Sequence, residues 1–156
     1  MIESKEDYYK GLPTKRMGSG VLFFNPEREV LLVQPTYKET WEIPGGVVEK
    51  DESPKETVLR EVKEELGLEI DAGSLKLMCV EYIAAGEEIT EALMFVFSGG
   101  VLSDDQTARI RIDGAEIESV KFVSSEKLTE LLGVGLGARV TPCLEEESCF
   151  YFEGKY

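Results

Sequence analysis

Glu61, Glu64 and Glu65 are spaced three and four residues apart in the segment running from Pro54 to Leu66. At about 100° per residue on a helix they share one arc. The adjoining arc holds Val58, Leu59, Val62 and Leu66. Like charges at that spacing repel by about 0.2–0.5 kcal/mol per exposed pair. Glu64 and Glu65 also fall near the helix C-terminus, where the dipole disfavours anions. Such a face asks for a cation, and a divalent ion that prefers hard oxygen ligands, Mg²⁺ or Mn²⁺, answers it. Gly45-Gly46, just upstream, would let backbone carbonyls approach the ion, since glycine presents no side chain. Arg60 is flanked by these acids and can fork onto Glu52 or Glu61, holding a carboxylate in one orientation. The same residues also read as an ordinary amphipathic helix with an acidic solvent face.

Composition narrows the chemistry. The chain has 156 residues, 31 acidic and 17 basic, no histidine, and a net charge of −14. Residues 42–71 hold ten acids and four bases, the densest acidic block. Without histidine there is no Ser-His or Cys-His nucleophile pair, so a catalytic base must be a carboxylate, Lys, Tyr or a metal-activated water. An acidic chain with no basic stripe is a poor duplex nucleic-acid binder. No apolar run reaches the roughly 18 residues of a membrane span. The polar start MIESKEDYYK is not a signal peptide, and with three cysteines (Cys79, Cys143, Cys149) it points to a reducing, cytoplasmic setting. Cys79, in an apolar stretch, reads as core.

The elements that must position these residues follow from pattern. Ser53 as N-cap, Pro54 at the first position, Glu56 completing a capping box and Gly67 as the stop predict a helix over 54–66. Strands are expected at Gly18–Phe24 and Glu29–Val33, joined as a hairpin through residues 25–28, and at Leu75–Ile83, Ile89–Ser98, Ile117–Val123 and Cys149–Phe152. Trp41–Gly46 reads as an extended stretch ending in a flexible loop. Ser125–Leu132 reads as a short helix, Gly133–Gly137 as a loop, and Leu136–Glu146 as a helix interrupted by Pro142. No linker divides residues 1–156, which predicts one α+β domain, a sandwich of helices on a sheet.

Gly46, then five residues, Glu52, then seven residues, then Arg60-Glu61-Val62-Lys63-Glu64-Glu65-Leu66-Gly67-Leu68 matches every specified position of the Nudix box. A chance match is on the order of 10⁻⁹ per starting position at ordinary residue usage. The chain thus resembles the Nudix hydrolases, MutT-like enzymes, over residues 46–68 and more loosely through the Trp41-Glu42-Ile43-Pro44-Gly45-Gly46 lead-in. The resemblance implies an α/β/α sandwich around a mixed sheet. It also implies Mg²⁺- or Mn²⁺-dependent hydrolysis of a nucleoside diphosphate linked to another moiety. By match of motif, Glu61, Glu64, Glu65 and the Gly45 carbonyl are metal ligands, Glu52 with Arg60 holds the loop on the helix, and Gly46 and Gly67 are structural. Glu61 is alternatively the base. Family members often add an acid from outside the box; Glu116 is the first candidate here and Glu118 the second.

Substrate contacts are less marked in the sequence. Tyr37, Trp41 and Phe23 offer aromatic faces to a base, with core packing the competing fate of Phe23 and Trp41. Arg16, with Lys38, Arg109, Arg111 and Arg139, offers charge to phosphate. The absence of proline between Pro54 and Pro142 departs from the pattern of ADP-ribose-cleaving relatives. The resulting expectation is a pyrophosphohydrolase of a nucleoside triphosphate, oxidised or not, or of a nucleotide sugar. ADP-ribose, a dinucleoside polyphosphate, or nucleotide binding without cleavage are the alternatives. The apolar C-terminal strand offers an edge for a homodimer.

Overall fold

The structure is a computed structural model describing residues 4–112, 114–145 and 148–154. One mixed sheet contains all seven strands: β1 (Arg16–Phe24), β2 (Val30–Pro35), β3 (Gly45–Val47), β4 (Lys76–Ile83), β5 (Ala92–Val101), β6 (Ile117–Val123) and β7 (Phe150–Gly154). The order is β6-β2-β1-β5-β4-β7, with β3 added to β1. Alternation along β1 sends Val21 and Phe23 to one face and Leu22 to the other, so each face acquires its own core. Helix α2 (Pro54–Leu66) buries Val58, Val62 and Leu66 against Val21, Phe23, Leu31 and Val33. On the opposite face α4 (Ser125–Leu131) and α5 (Val134–Cys143) bring Leu128, Val140 and Cys143 onto Leu22, Leu32, Cys79 and Val96. This is the α/β/α sandwich expected of the sequence. Two short helices, α1 (Lys5–Lys10) and α3 (Asp104–Ala108), lie outside the predicted elements. Among the described residues no helix is long and apolar enough to cross a membrane.

The expected β1–β2 hairpin forms, and two other sequence expectations change. Gly45-Gly46 is not a flexible loop: with Val47 it forms β3, paired antiparallel with Gly18–Gly20 of β1. Beyond the turn, β1 and β2 pair antiparallel at Phe24 and Val30, but the continuous partner of β1 is β5, running parallel from Arg16/Ala92 to Phe24/Val101. The stretch 133–137 is helical from Val134, with the Gly137 N–H donating to the Gly133 carbonyl at 2.8 Å. Burial of Gly137, Val140 and Cys143 there outweighs the low helix propensity of glycine. Pro142 is accommodated in the last turn of α5, which ends at Cys143; Glu146, included in the predicted helix, lies outside the described residues. Cys79 and Cys143 are buried free thiols with sulfurs 3.4 Å apart, and Cys149 is exposed.

Candidate functional site

Helix α2 is fixed at both ends before it presents any acid. The Ser53 side chain accepts from the Glu56 N–H while the Glu56 carboxylate accepts from the Ser53 N–H, and Gly67 closes the helix in a left-handed conformation at φ 67°. The Ser19 hydroxyl donates to the Pro54 carbonyl at 2.7 Å and ties the first turn to β1. Along the helix Glu61 and Glu65 are buried, whereas the Glu64 side chain is half exposed.

Arg60 organises the side of the helix that faces the preceding loop. Its Nε and Nη2 donate to the two oxygens of Glu52 at 2.9 and 3.1 Å. Nη2 also reaches the Val47 carbonyl at 3.2 Å, and Nη1 donates to Glu61 at 2.7 Å and Glu64 at 3.1 Å. Glu52 accepts further from the Thr57 hydroxyl and the Glu49 N–H. The Arg60 hydrogen bonds come first among the causes that lower the Glu52 carboxyl to about 2. Arg60→Gln is therefore expected to destabilise the fold by about 2 kcal/mol, the order of hydrogen bonds to a charged group, as read from the urea midpoint.

Glu65 sits differently. Its Oε2 accepts from the Gly45 N–H at 3.0 Å. Burial raises its carboxyl to about 8; the Gly45 hydrogen bond opposes this, and repulsion from Glu61, Glu116 and Glu42 adds to it. Burial likewise raises Glu61, against the pull of Arg60. Both glycines of β3 are required where they stand. Gly45 has φ 150°, and a Cβ on it would strike the Ser19 backbone. A Cβ on Gly46 would strike the Glu61 carboxylate.

Two adjoining cavities meet at this strand. One, of about 230 Å³, is lined by Glu42, Glu61, Glu65 and Glu116 together with Pro35, Tyr37, Gly45, Gly46, Val47 and Ile117. Four carboxylates border it and, among the described residues, no basic one does. The other, of about 220 Å³, shares Tyr37, Glu42, Gly45, Gly46 and Val47 and extends over the sheet to Arg16, Ile43, Phe95, Leu136 and Arg139. Glu116 thus joins the α2 acids although 51 positions separate it from Glu65, while Glu118 lines neither cavity. Arg16 and Tyr37 line the second cavity. Trp41 packs on the core below α4 and α5, with the Lys121 ammonium 3.8 Å from its ring centroid. Phe23 is fully buried. Lys38 pairs with Glu42, and Arg109 pairs with Asp105 away from both cavities. The sequence reading missed Glu42, whose bridge to Val33 extends the sheet at the cavity mouth. The polar position before Ile43-Pro44 was its only signal.

The donor set fits a divalent cation: hard oxygens only, mutual repulsion, and one acid, Glu65, pushed towards its neutral form by burial. Among the described residues no three acids are already gathered at coordinating positions. Arg60 pairs with Glu61 and Glu64, while Glu65 accepts from the Gly45 N–H.

Comparison with known proteins agrees with the geometry. A family model described as NUDIX domain matches residues 14–142. An RNA pyrophosphohydrolase of Hahella chejuensis is 40% identical over 57 residues, which is 36% of this chain and 35% of that protein. The chain thus spans about a third of that relative's length. The crystal structure of a MutT protein from Methanosarcina mazei superposes with a TM-score of 0.64 at 26% identity, covering 86% of this chain and 94% of that one. The NUDIX domain of a Shewanella oneidensis protein complexed with ADP ribose superposes at 0.68 with 17% identity over 91% and 97%, a likeness of fold.

Proposed function

The chain belongs to the NUDIX domain family, and from that premise we propose that it is a single-domain, Mg²⁺- or Mn²⁺-dependent pyrophosphohydrolase of a nucleoside diphosphate linked to another moiety. A nucleoside triphosphate or a nucleotide sugar is the substrate class we favour. The observation that carries the proposal is the cavity bordered by Glu42, Glu61, Glu65 and Glu116, opening onto a cleft with Arg16 at one side. A diphosphate cannot approach four carboxylates unaided, so the cavity suits a substrate that arrives with a cation. In this reading Glu64, Glu65 and the Gly45 carbonyl, with Glu61, hold the ion. When bound, it supplies Lewis acidity and charge neutralisation at the phosphates.

The protein's own residues do the rest. Arg60 with Glu52 fixes the loop against α2 so that the carboxylates keep their spacing. Glu61 takes the proton of the attacking water on a carboxylate oxygen; burial raises its pKa, which makes it a stronger base than an exposed carboxylate. Glu116 adds charge to the same cavity. Water attacks phosphorus, the bond to the bridging oxygen breaks, and two phosphate-bearing products leave. Tyr37 and Arg16 meet the nucleotide in the second cavity, which Trp41 does not line.

The test is a panel of nucleoside triphosphates, nucleotide sugars, ADP-ribose and dinucleoside polyphosphates with Mg²⁺ or Mn²⁺, scored for released phosphate products. Metal-dependent turnover of a panel member is expected; saturable binding with no turnover would leave a nucleotide-binding module. Gly46→Ala is expected to reduce turnover of the confirmed substrate by about tenfold or more, because even a small misplacement of a reacting group has effects of that order. The added methyl must displace Glu61. Kinetics on the folded variant check this.

A further inference from the structure

Away from the acidic cavity, α5 and β4 bring two thiols together. Cys143, in the last turn of α5, and Cys79, on β4, are 64 positions apart in sequence, yet their sulfurs lie 3.4 Å apart in the core. A disulfide bond is about 2.05 Å long, so two side chains between them need to close only about 1.4 Å. Cys143 also lines a cavity of about 640 Å³ with Phe24, Met78, Ser98, Ser124 and Leu144. Exposed residues, Arg28 and Glu126 among them, border that cavity, so a small reagent can enter and meet Cys143. Cys79 is 0% exposed. This cavity shares no lining residue with the two that meet at β3.

The surroundings give the two sulfurs different parts. The hydrogen bond that Cys143 shares with Cys79, and then the positive charge of Arg139, hold the Cys143 thiol below its ordinary range against the effect of burial. The same hydrogen bond, with burial, pushes the Cys79 thiol up. Cys143 is therefore the first to supply a thiolate, the nucleophilic form of the group. We propose that Cys143 and Cys79 are a redox modification site, a dithiol that a small peroxide oxidises to an intramolecular disulfide between α5 and β4. The Cys143 sulfur attacks one oxygen of hydrogen peroxide; the S–O bond forms, the O–O bond breaks, and hydroxide leaves and takes up the thiol proton as water. Cys79 then gives up its proton and attacks the sulfur of the sulfenic acid; the S–S bond forms, the S–O bond breaks, and a second water leaves. Two thiols are oxidised and one peroxide is reduced to two waters. A dithiol reductant reverses the bond by exchange. In a reducing compartment such a bond is transient, as suits a redox sensor. It ties the two elements that Arg139 and Glu81 already join. Because α5 also carries Leu136 and Arg139 to the cavity over the sheet, oxidation fixes that wall.

Neither thiol borders the cavities at β3, so the test needs no substrate and is independent of the hydrolase proposal. The full chain is treated with hydrogen peroxide, remaining thiols are alkylated after denaturation, and fragments from cleavage after glutamate are weighed. Cys79 falls between Glu69 and Glu81, and the run Glu145-Glu146-Glu147 separates Cys143 from Cys149. Free thiols are expected to fall from three to one, with the Cys79 and Cys143 fragments joined within one chain at the loss of two hydrogens. A dithiol reductant is expected to restore all three. Amide hydrogen exchange along α5 is expected to slow by about tenfold or more in the oxidised protein. In Cys79→Ala, with thermal unfolding confirming the fold, a 1,3-diketone probe is expected to capture a sulfenic acid on Cys143. Should that variant not fold, the fragment map and exchange of the wild type decide alone. Linkage through Cys149 or between chains, oxygen added at Met78 while both buried thiols remain, or a joined pair with unchanged exchange along α5 overturns the inference.

Discussion

Glu61→Gln is expected to lower kcat on the confirmed substrate by about 10²- to 10⁴-fold, the range for losing a positioned acid–base group, with the fold intact. The substitution keeps the shape that packs beneath Gly46 and keeps an oxygen to accept from Arg60 Nη1. What it removes is the negative charge and the basic oxygen facing the acidic cavity. Because burial penalises the charge of this carboxylate more than Arg60 favours it, with repulsion from Glu64 and Glu116 adding to the penalty, a neutral amide there should leave thermal stability level or raise it. Glu64→Gln is expected to act in the same direction by orders of magnitude, since Nη1 of Arg60 binds Glu61 and Glu64 together. Measuring kcat and KM across Mg²⁺ concentrations separates the two roles. A deficit in Glu64→Gln that shrinks at high Mg²⁺ marks a ligand, and one in Glu61→Gln that persists at saturation marks a base. Near-normal turnover by both would remove the cavity from the mechanism.

How far the sequence led depended on whether a signal was local. The helix carrying the acids was legible to the residue, because capping, proline at its first position and a left-handed glycine are all encoded within Ser53–Gly67. Glu52 and Arg60 were readable as partners for the same reason. The long-range features were not. Nothing near Gly45-Gly46 announces that two glycines will serve as a strand; β3 pairs with Gly18–Gly20 of β1 and lies close to it because Gly45 has no Cβ to strike the Ser19 and Gly20 backbone. Arg139 looked like one cation among several until β4 placed Glu81 beneath it, 58 positions away in sequence. Helical structure across Val134–Gly137 likewise came from packing on the sheet rather than from propensity. Glu116 was identified through resemblance, and its arrival at the cavity follows from the pairing of β6 with β2, which brings the Glu116 carbonyl to accept from the Thr36 N–H.

Raising the pH from 5 to 9 is expected to destabilise the metal-free protein, the reverse of the usual behaviour of carboxylates. Glu65 has a folded-state pKa of about 8 against an ordinary 4.5. Between those values the native state holds a proton that the unfolded chain has released, so stability falls as pH rises through that window. The loss is complete above about pH 8 and is on the order of a few kcal/mol. Glu61, raised by burial as well, pulls in the same direction. Glu52 has the opposite sign: with its carboxyl lowered to about 2, its contribution is present above 4.5 and is lost as pH falls towards 2. The metal-free protein should therefore be most stable near pH 5. A divalent cation changes this on the alkaline side only. It requires Glu65 ionised, so its binding releases a proton below pH 8 and its affinity climbs with pH until Glu65 has titrated. Saturating Mg²⁺ should flatten the decline between pH 5 and 9, and Glu65→Gln should flatten it without metal. Urea unfolding of the wild type, with and without Mg²⁺, and of Glu65→Gln across that range measures all three. A wild-type midpoint that rises or stays level without metal would show Glu65 to be ionised in the empty site, and the acids there to be balanced by something other than a proton or a divalent ion.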